Sequence, residues 1–125
     1  MTDTITLDMG AGSTLTVPAY ETDTDGLIIH GLGPFSSELH LVHTSGFLIG
    51  VFARFGDAQA AAKELAGVID WTCTAETLRA VDDSAIWTVI DKVEAVGGEF
   101  RAARGGRGEA IAKARLQAKQ TQAAA

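Results

Sequence analysis

The chain has 125 residues, 46% of them hydrophobic and 21% charged, with a formal net charge of −6. That is the size of one ordinary domain, and it is too apolar for a chain disordered throughout. A single cysteine, Cys73, excludes an internal disulfide framework. A core is still within reach, because roughly two thirds of the unfolded surface can be buried at this length.

The net charge hides a gradient. Residues 1–53 carry six acids and no Lys or Arg, residues 54–98 carry eight acids against four bases, and residues 99–125 carry six bases against two acids. An acidic body repels nucleic acid and anionic lipid at long range, whereas a basic tail attracts acidic partners. The opening Met1-Thr2-Asp3-Thr4 has neither a positive n-region nor an apolar h-region, which reads against a signal peptide. The longest apolar stretch, Phe47–Ala53 counting Gly50, is far short of the ~20 residues that span a bilayer. The expectation is a protein made in a reducing cytoplasm, with no membrane partner.

In chain order, Ile5, Leu7 and Met9 alternate with Thr4, Thr6 and Asp8, the period of a half-buried strand. Gly10-Ala11-Gly12-Ser13 reads as a turn, and Leu15 and Val17 continue a second strand that ends before Pro18. Residues 22–26 form a polar loop, Leu27–His30 a short apolar strand, and Gly31-Leu32-Gly33-Pro34 a break. Leu39–His43 and Phe47–Phe55 make the clearest strand pair, with Gly46 where the connecting turn requires positive φ. Strict alternation puts Phe47, Ile49 and Val51 on one face of the second strand and Leu48, Gly50 and Phe52 on the other. With both faces apolar, that strand is central or an interface.

Asp57 then reads as the N-cap of a helix whose apolar face is Ala58, Ala61, Ala62, Leu65, Val68 and Ile69, stopping near Asp70-Trp71. Thr74 can cap a second helix with Leu78 and Val81. Asp82-Asp83-Ser84 interrupts it or caps the next, whose stripe is Ile86, Val89, Ile90, Val93 and Val96. Gly97-Gly98 ends that helix. The fold expected is α+β: an antiparallel sheet of about five strands from residues 4–55, followed by two or three helices, with a separate basic C-terminal helix. Residues 1–98 form the compact domain, and 99–125 an Arg/Gly linker and an Ala-rich helical tail. In the tail Ile111 and Leu116 are five positions apart and point in different directions, so that helix is marginal alone.

No motif demands catalysis. The histidines are His30, His40 and His43. On a regular strand His40 and His43 face opposite ways, while His30 can meet either across strands, and ordinary strand histidines are the simpler reading. No metal-ligand spacing, EF-hand order, Gly-x-Ser-x-Gly elbow or phosphate-binding glycine loop is present, so no metal and no cofactor is expected. Cys73 reads as a small buried hydrophobe. Arg104-Gly105-Gly106-Arg107-Gly108 resembles a single RGG motif of nucleic-acid-binding tails.

The stretch Leu41-Val42-His43-Thr44-Ser45-Gly46, then Gly50–Phe55, then an Ala-rich helix ending Ile69-Asp70-Trp71-Thr72, resembles small uncharacterised proteins of actinobacterial genomes, mobile elements and phages, over about residues 39–72. No catalytic residue transfers with that resemblance. It implies a phage or mobile-element accessory protein, with the virion as one destination. The function expected is therefore non-enzymatic: binding to a protein partner, or self-assembly into a homo-oligomer. The contacts expected are Phe47, Phe52, Trp71 and Trp87 on the body. Arg101, Arg104, Arg107, Lys113, Arg115 and Lys119 would meet an acidic partner. The alternative is a nucleic-acid accessory factor that uses the tail.

Overall fold

A computed structural model describes residues 3–32, 37–101 and 106–124. The Gly33-Pro34 break and the Arg104-Gly105 pair lie outside the described residues. Six strands form one sheet in chain order: β1 (Asp3–Gly10), β2 (Ser13–Glu21), β3 (Leu27–Gly31), β4 (Leu39–His43), β5 (Leu48–Phe52) and β6 (Glu99–Phe100). Every neighbouring pair is antiparallel. The helices are α1 (Phe55–Glu64), α2 (Ala75–Arg79), α3 (Asp83–Ala95) and α4 (Arg107–Ala124). The architecture is α+β, with the strands first and the helices after, as patterning indicates. Among the described residues no helix is long and apolar enough to cross a membrane.

Period-2 alternation places Leu27, Ile29, Leu41 and Phe52 on one face of the sheet. There they pack with Ala58, Ala61, Ala62 and Leu65 of the α1 region and with Val89 and Val93 of α3. The small alanines of α1 let its backbone approach the strands closely. On the opposite face lie Ile28, His30, His40, Val42 and Val51. The β4–β5 turn is closed by Gly46 at φ +100, the left-handed conformation expected there.

Several boundaries differ from the patterning, each for a tertiary reason. Strand β2 does not end before Pro18 but runs through it to Glu21, because Ala19, Tyr20 and Glu21 pair with β3. Strand β5 spans Leu48–Phe52 and not Phe47–Phe55, because Phe55 opens α1. Between Leu41 and Val42 the β4–β5 register shifts, so that Leu41 faces Gly50 and Val42 faces Leu48. The extra residue, Ile49, therefore joins the core with Phe52 instead of lying with Val51. Helix α1 starts at Phe55 behind Arg54, and Asp57 sits in its first turn, where a carboxylate favours the helix dipole without capping it. The helix ends at Glu64, well before Asp70, because donors from elsewhere take its last carbonyls. Thr24 Oγ1 donates to the Ala62 carbonyl at 2.6 Å and Trp71 Nε1 to the Leu65 carbonyl at 2.8 Å.

The sequence reading places 99–125 outside the compact domain. In the structure Glu99 and Phe100 pair with Val51 and Gly50, adding a sixth strand, and α4 lies along α3. Arg107 meets Asp83, and Arg115 meets Asp91 and Glu94. The partners ascend together, so the two helices run parallel. Ile111 and Arg115, one turn apart, are buried, while Leu116 is 57% exposed.

Candidate functional site

The β4–β5 turn, α2, the first half of α3, β6 and the start of α4 surround a groove of about 750 Å³. Phe47, Leu48, Leu78, Ile86 and Phe100 make it apolar, and Arg79, Arg101 and Arg107 supply its cations. Each group arrives by a separate route. Gly46 reverses the chain and presents Phe47. Thr74, whose hydroxyl accepts the Thr77 N–H at 3.2 Å, caps α2 and so sets Leu78 and Arg79 on one turn. Pairing with β5 delivers Phe100 and Arg101.

The arginines are unequally committed. Arg101 donates to Glu99 at 3.2 Å and Glu38 at 3.5 Å. Arg107 donates through Nε to Asp83 at 3.1 Å and through Nη1 to the Arg79 carbonyl at 2.6 Å, tying α4 to the α2–α3 junction. The Arg79 guanidinium lies 5.2 Å from the Phe47 ring centroid, a cation–π contact, and has no carboxylate partner among the described residues. The groove thus offers apolar surface beside a cation available to a carboxylate, in a chain whose net charge is −6.

Behind the groove sits a buried polar hub. The Ser45 N–H donates to His43 Nδ1 at 3.1 Å, so Nδ1 is an acceptor and Nε2 carries the proton. His43 Nε2–H then donates to the Trp71 carbonyl at 2.9 Å, and the Ser45 hydroxyl lies 2.6 Å from Nδ1. Gly26, at φ +94, packs directly against the Trp71 carbonyl, where a Cβ would collide. The Thr44 N–H donates to the Gly26 carbonyl at 3.0 Å. Residues of the stretch that carries the resemblance, the His43–Gly46 turn and Trp71, meet here. What the hub does is hold the β4–β5 turn, and so Phe47, against the segment after α1.

The expected contact residues separate. Phe52 and Trp71, 2% and 3% exposed, belong to the core, Phe52 away from the groove and Trp71 at its floor. Phe52 lies opposite Leu39 on the core face of the sheet, and Trp71 is held by its bond to the Leu65 carbonyl. Phe47 lines the groove, and Trp87 is 37% exposed on α3. In the tail, Arg115 is buried between Asp91 and Glu94, Arg107 is engaged as above, and Lys113 pairs with Glu109 at 3.4 Å. Lys119 is exposed, and Arg104 lies outside the described residues. In the sequence Leu78 and Ile86 read only as helix-stripe residues, and nothing there joins them to Arg79 and Phe100, because only the docking of α2, α3 and β6 brings the four together.

His30 and His40 are cross-strand partners, with ring centroids 5.4 Å apart. His30 Nδ1 bonds the Gly31 carbonyl at 2.8 Å, and His40 Nε2 lies 3.4 Å from Glu38. Burial lowers the His40 pKa, and the neighbouring His30 and Arg101 reinforce this against the opposing pull of Glu38. Among the described residues no group of three or more His, Cys, Asp or Glu side chains is arranged to hold a metal ion. Comparison with known proteins gives no match to any family model, curated protein or solved structure.

Proposed function

We propose that this chain is a binding module whose groove receives a segment of a partner protein, one that presents apolar side chains beside a carboxylate. The observation that carries this is the placement of Arg79 over Phe47, without an acidic partner among the described residues, at an apolar groove of about 750 Å³. A carboxylate meeting a guanidinium beside apolar surface makes a charge-assisted bond in a partly dry setting, stronger than the same pair in open water. The tail is the weaker candidate for nucleic acid, since Arg107, Arg115 and Lys113 already face acids of this chain.

Selection from a displayed random-peptide library tests the proposal. Peptides enriched on the wild-type chain should combine Asp or Glu with large apolar residues, and should lose binding to both Arg79→Glu and Phe47→Glu. Both positions lie at the surface of the groove, so the variants should keep the circular dichroism of the parent. No enrichment, or peptides that bind both variants as well as wild type, would refute it.

A further inference from the structure

We infer that β1 is a self-pairing edge, through which two copies of this chain join their sheets into one. This is independent of what the groove binds.

The β1–β2 hairpin is an arm. Among the described residues strand β1 pairs only with β2, and β2 meets β3 only through Ala19, Tyr20 and Glu21. From Ser13 to Pro18, β2 has β1 on one side and no described strand on the other. The helices gather instead on β3 to β6. A two-stranded ribbon is marginal in water by itself and needs a third strand or a covering layer. One face of this ribbon carries the cross-strand pairs Ile5–Val17 and Leu7–Leu15, with Ile5, Leu7 and Leu15 only half-buried. The other face carries Thr4, Thr6, Thr14 and Thr16, all exposed.

The ribbon has two free edges, and they differ. The β2 edge contains Pro18, which lacks an N–H and blocks extended pairing. In β1 there is no Pro, Lys or Arg, and its register with β2 stays regular from Asp3 to Asp8. Natural sheets protect long free edges with Pro, charged side chains or bulges. Here the acids Asp3 and Asp8 and the register shift sit at the two ends, and residues 4–7 between them carry no such guard.

Two antiparallel registers, centred on Ile5 and on Thr6, keep their central pairs inside the regular segment from Asp3 to Asp8, and only the second sets apolar side chains opposite apolar ones on both sides of its centre. Residues opposite one another must share a face, so the two-fold axis passes through a residue and not between two. Centring on Thr6 sets Ile5 opposite the partner's Leu7 and Thr4 opposite the partner's Asp8. Apolar then meets apolar and hydroxyl meets carboxylate. Asp3 and Asp8 of the two copies do not face each other, and Asp3 falls opposite the partner's Met9, beyond the end of the regular segment. Centring on Ile5 would set Asp3 against Leu7. A centre between Ile5 and Thr6 would set Asp3 against Asp8. The central pairs of the Thr6 register lie within the regular segment, before the shift near Met9.

Each copy carries a net charge of −6, so salt should strengthen this dimer by screening the repulsion. Head-to-tail pairing of acidic body with basic tail would respond in the opposite sense. The test is the solution mass of the full chain by light scattering across concentration and salt, for wild type, Thr6→Lys and Thr14→Lys. The expected result is a dimer that grows with concentration and salt, is lost in Thr6→Lys, where two like charges would face each other, and survives in Thr14→Lys. In a Cys73→Ser background, Thr6→Cys should oxidise to a covalent dimer and Thr14→Cys should not. Circular dichroism confirms that each variant is folded. A wild-type mass of 13.0 kDa at every concentration and salt would overturn the inference. So would a dimer that persists in Thr6→Lys or cross-links through Thr14→Cys.

Discussion

Replacing Arg115 by alanine should release α4 from α3 while leaving the sheet intact. The Arg115 side chain is 7% exposed, whereas Asp91 and Glu94 remain 53% and 45% exposed. Its Nε–H and an Nη2–H donate to Asp91, and Nη1–H donates to Glu94 at 2.6 Å. Burial alone disfavours the charged form, and the two carboxylates outweigh it, holding the guanidinium pKa above its ordinary value. A fully buried pair broken on one side costs roughly 3–5 kcal/mol, while an exposed pair contributes at most about 1 kcal/mol. With the cation buried and the anions half in water, the loss should be about 2 kcal/mol, the range of charge-assisted bonds. That is about a 30-fold change in the docked population. Amide hydrogen exchange should therefore quicken about 30-fold across α4 and stay unchanged in β3 and β4. Arg115→Lys should fall between, because one ammonium cannot reproduce the fork. Leu116→Ala, at a position 57% exposed, should do little. Unchanged exchange of α4 in Arg115→Ala, or equal acceleration in Leu116→Ala, would refute the reasoning.

Three further outcomes follow from the hub and the opposite sheet face. His43→Ala leaves the buried Trp71 carbonyl without its donor and opens a cavity, and should cost about 3 kcal/mol in urea denaturation; an unchanged midpoint would show that the hub is dispensable. Gly26→Ala forces a Cβ into the Trp71 carbonyl at φ +94, and should cost about 2 kcal/mol or more by the same assay. Because the His40 pKa is lowered in the folded chain, the unfolded chain binds more protons just below the ordinary histidine value of 6.5. Stability should therefore decline as pH falls through that value, and His40→Gln should flatten the decline. Equal pH dependence in both proteins would exclude His40 as its cause.

Alternation was enough to place β1 through β5, because a period of two is written in Ile5-Leu7, Leu15-Val17 and Leu27-Ile29. It did not place their ends, since β2 runs past Pro18 and β5 stops at Phe52. Thr74 as a cap and Gly46 as a turn residue were equally legible, since both act through their own backbone. Strand β6 was not, because two residues carry no period. The β4–β5 shift was not, because an inserted residue looks like continued alternation until its partner strand is known. The groove escaped for a related reason. Its residues are far apart in sequence and individually ordinary.

The tail shows the division most clearly. Residues 99–125 carry six bases and two acids, and that charge reads as an arm for an outside partner. Composition reports how many cations there are, and it is silent about which anions they meet. Only the folded chain sets Asp83 beside Arg107, and Asp91 and Glu94 beside Arg115. Local pattern governs what is decided within a turn or a pleat. The partner of a long charged side chain depends on which helix lies next to it, and that is a property of packing.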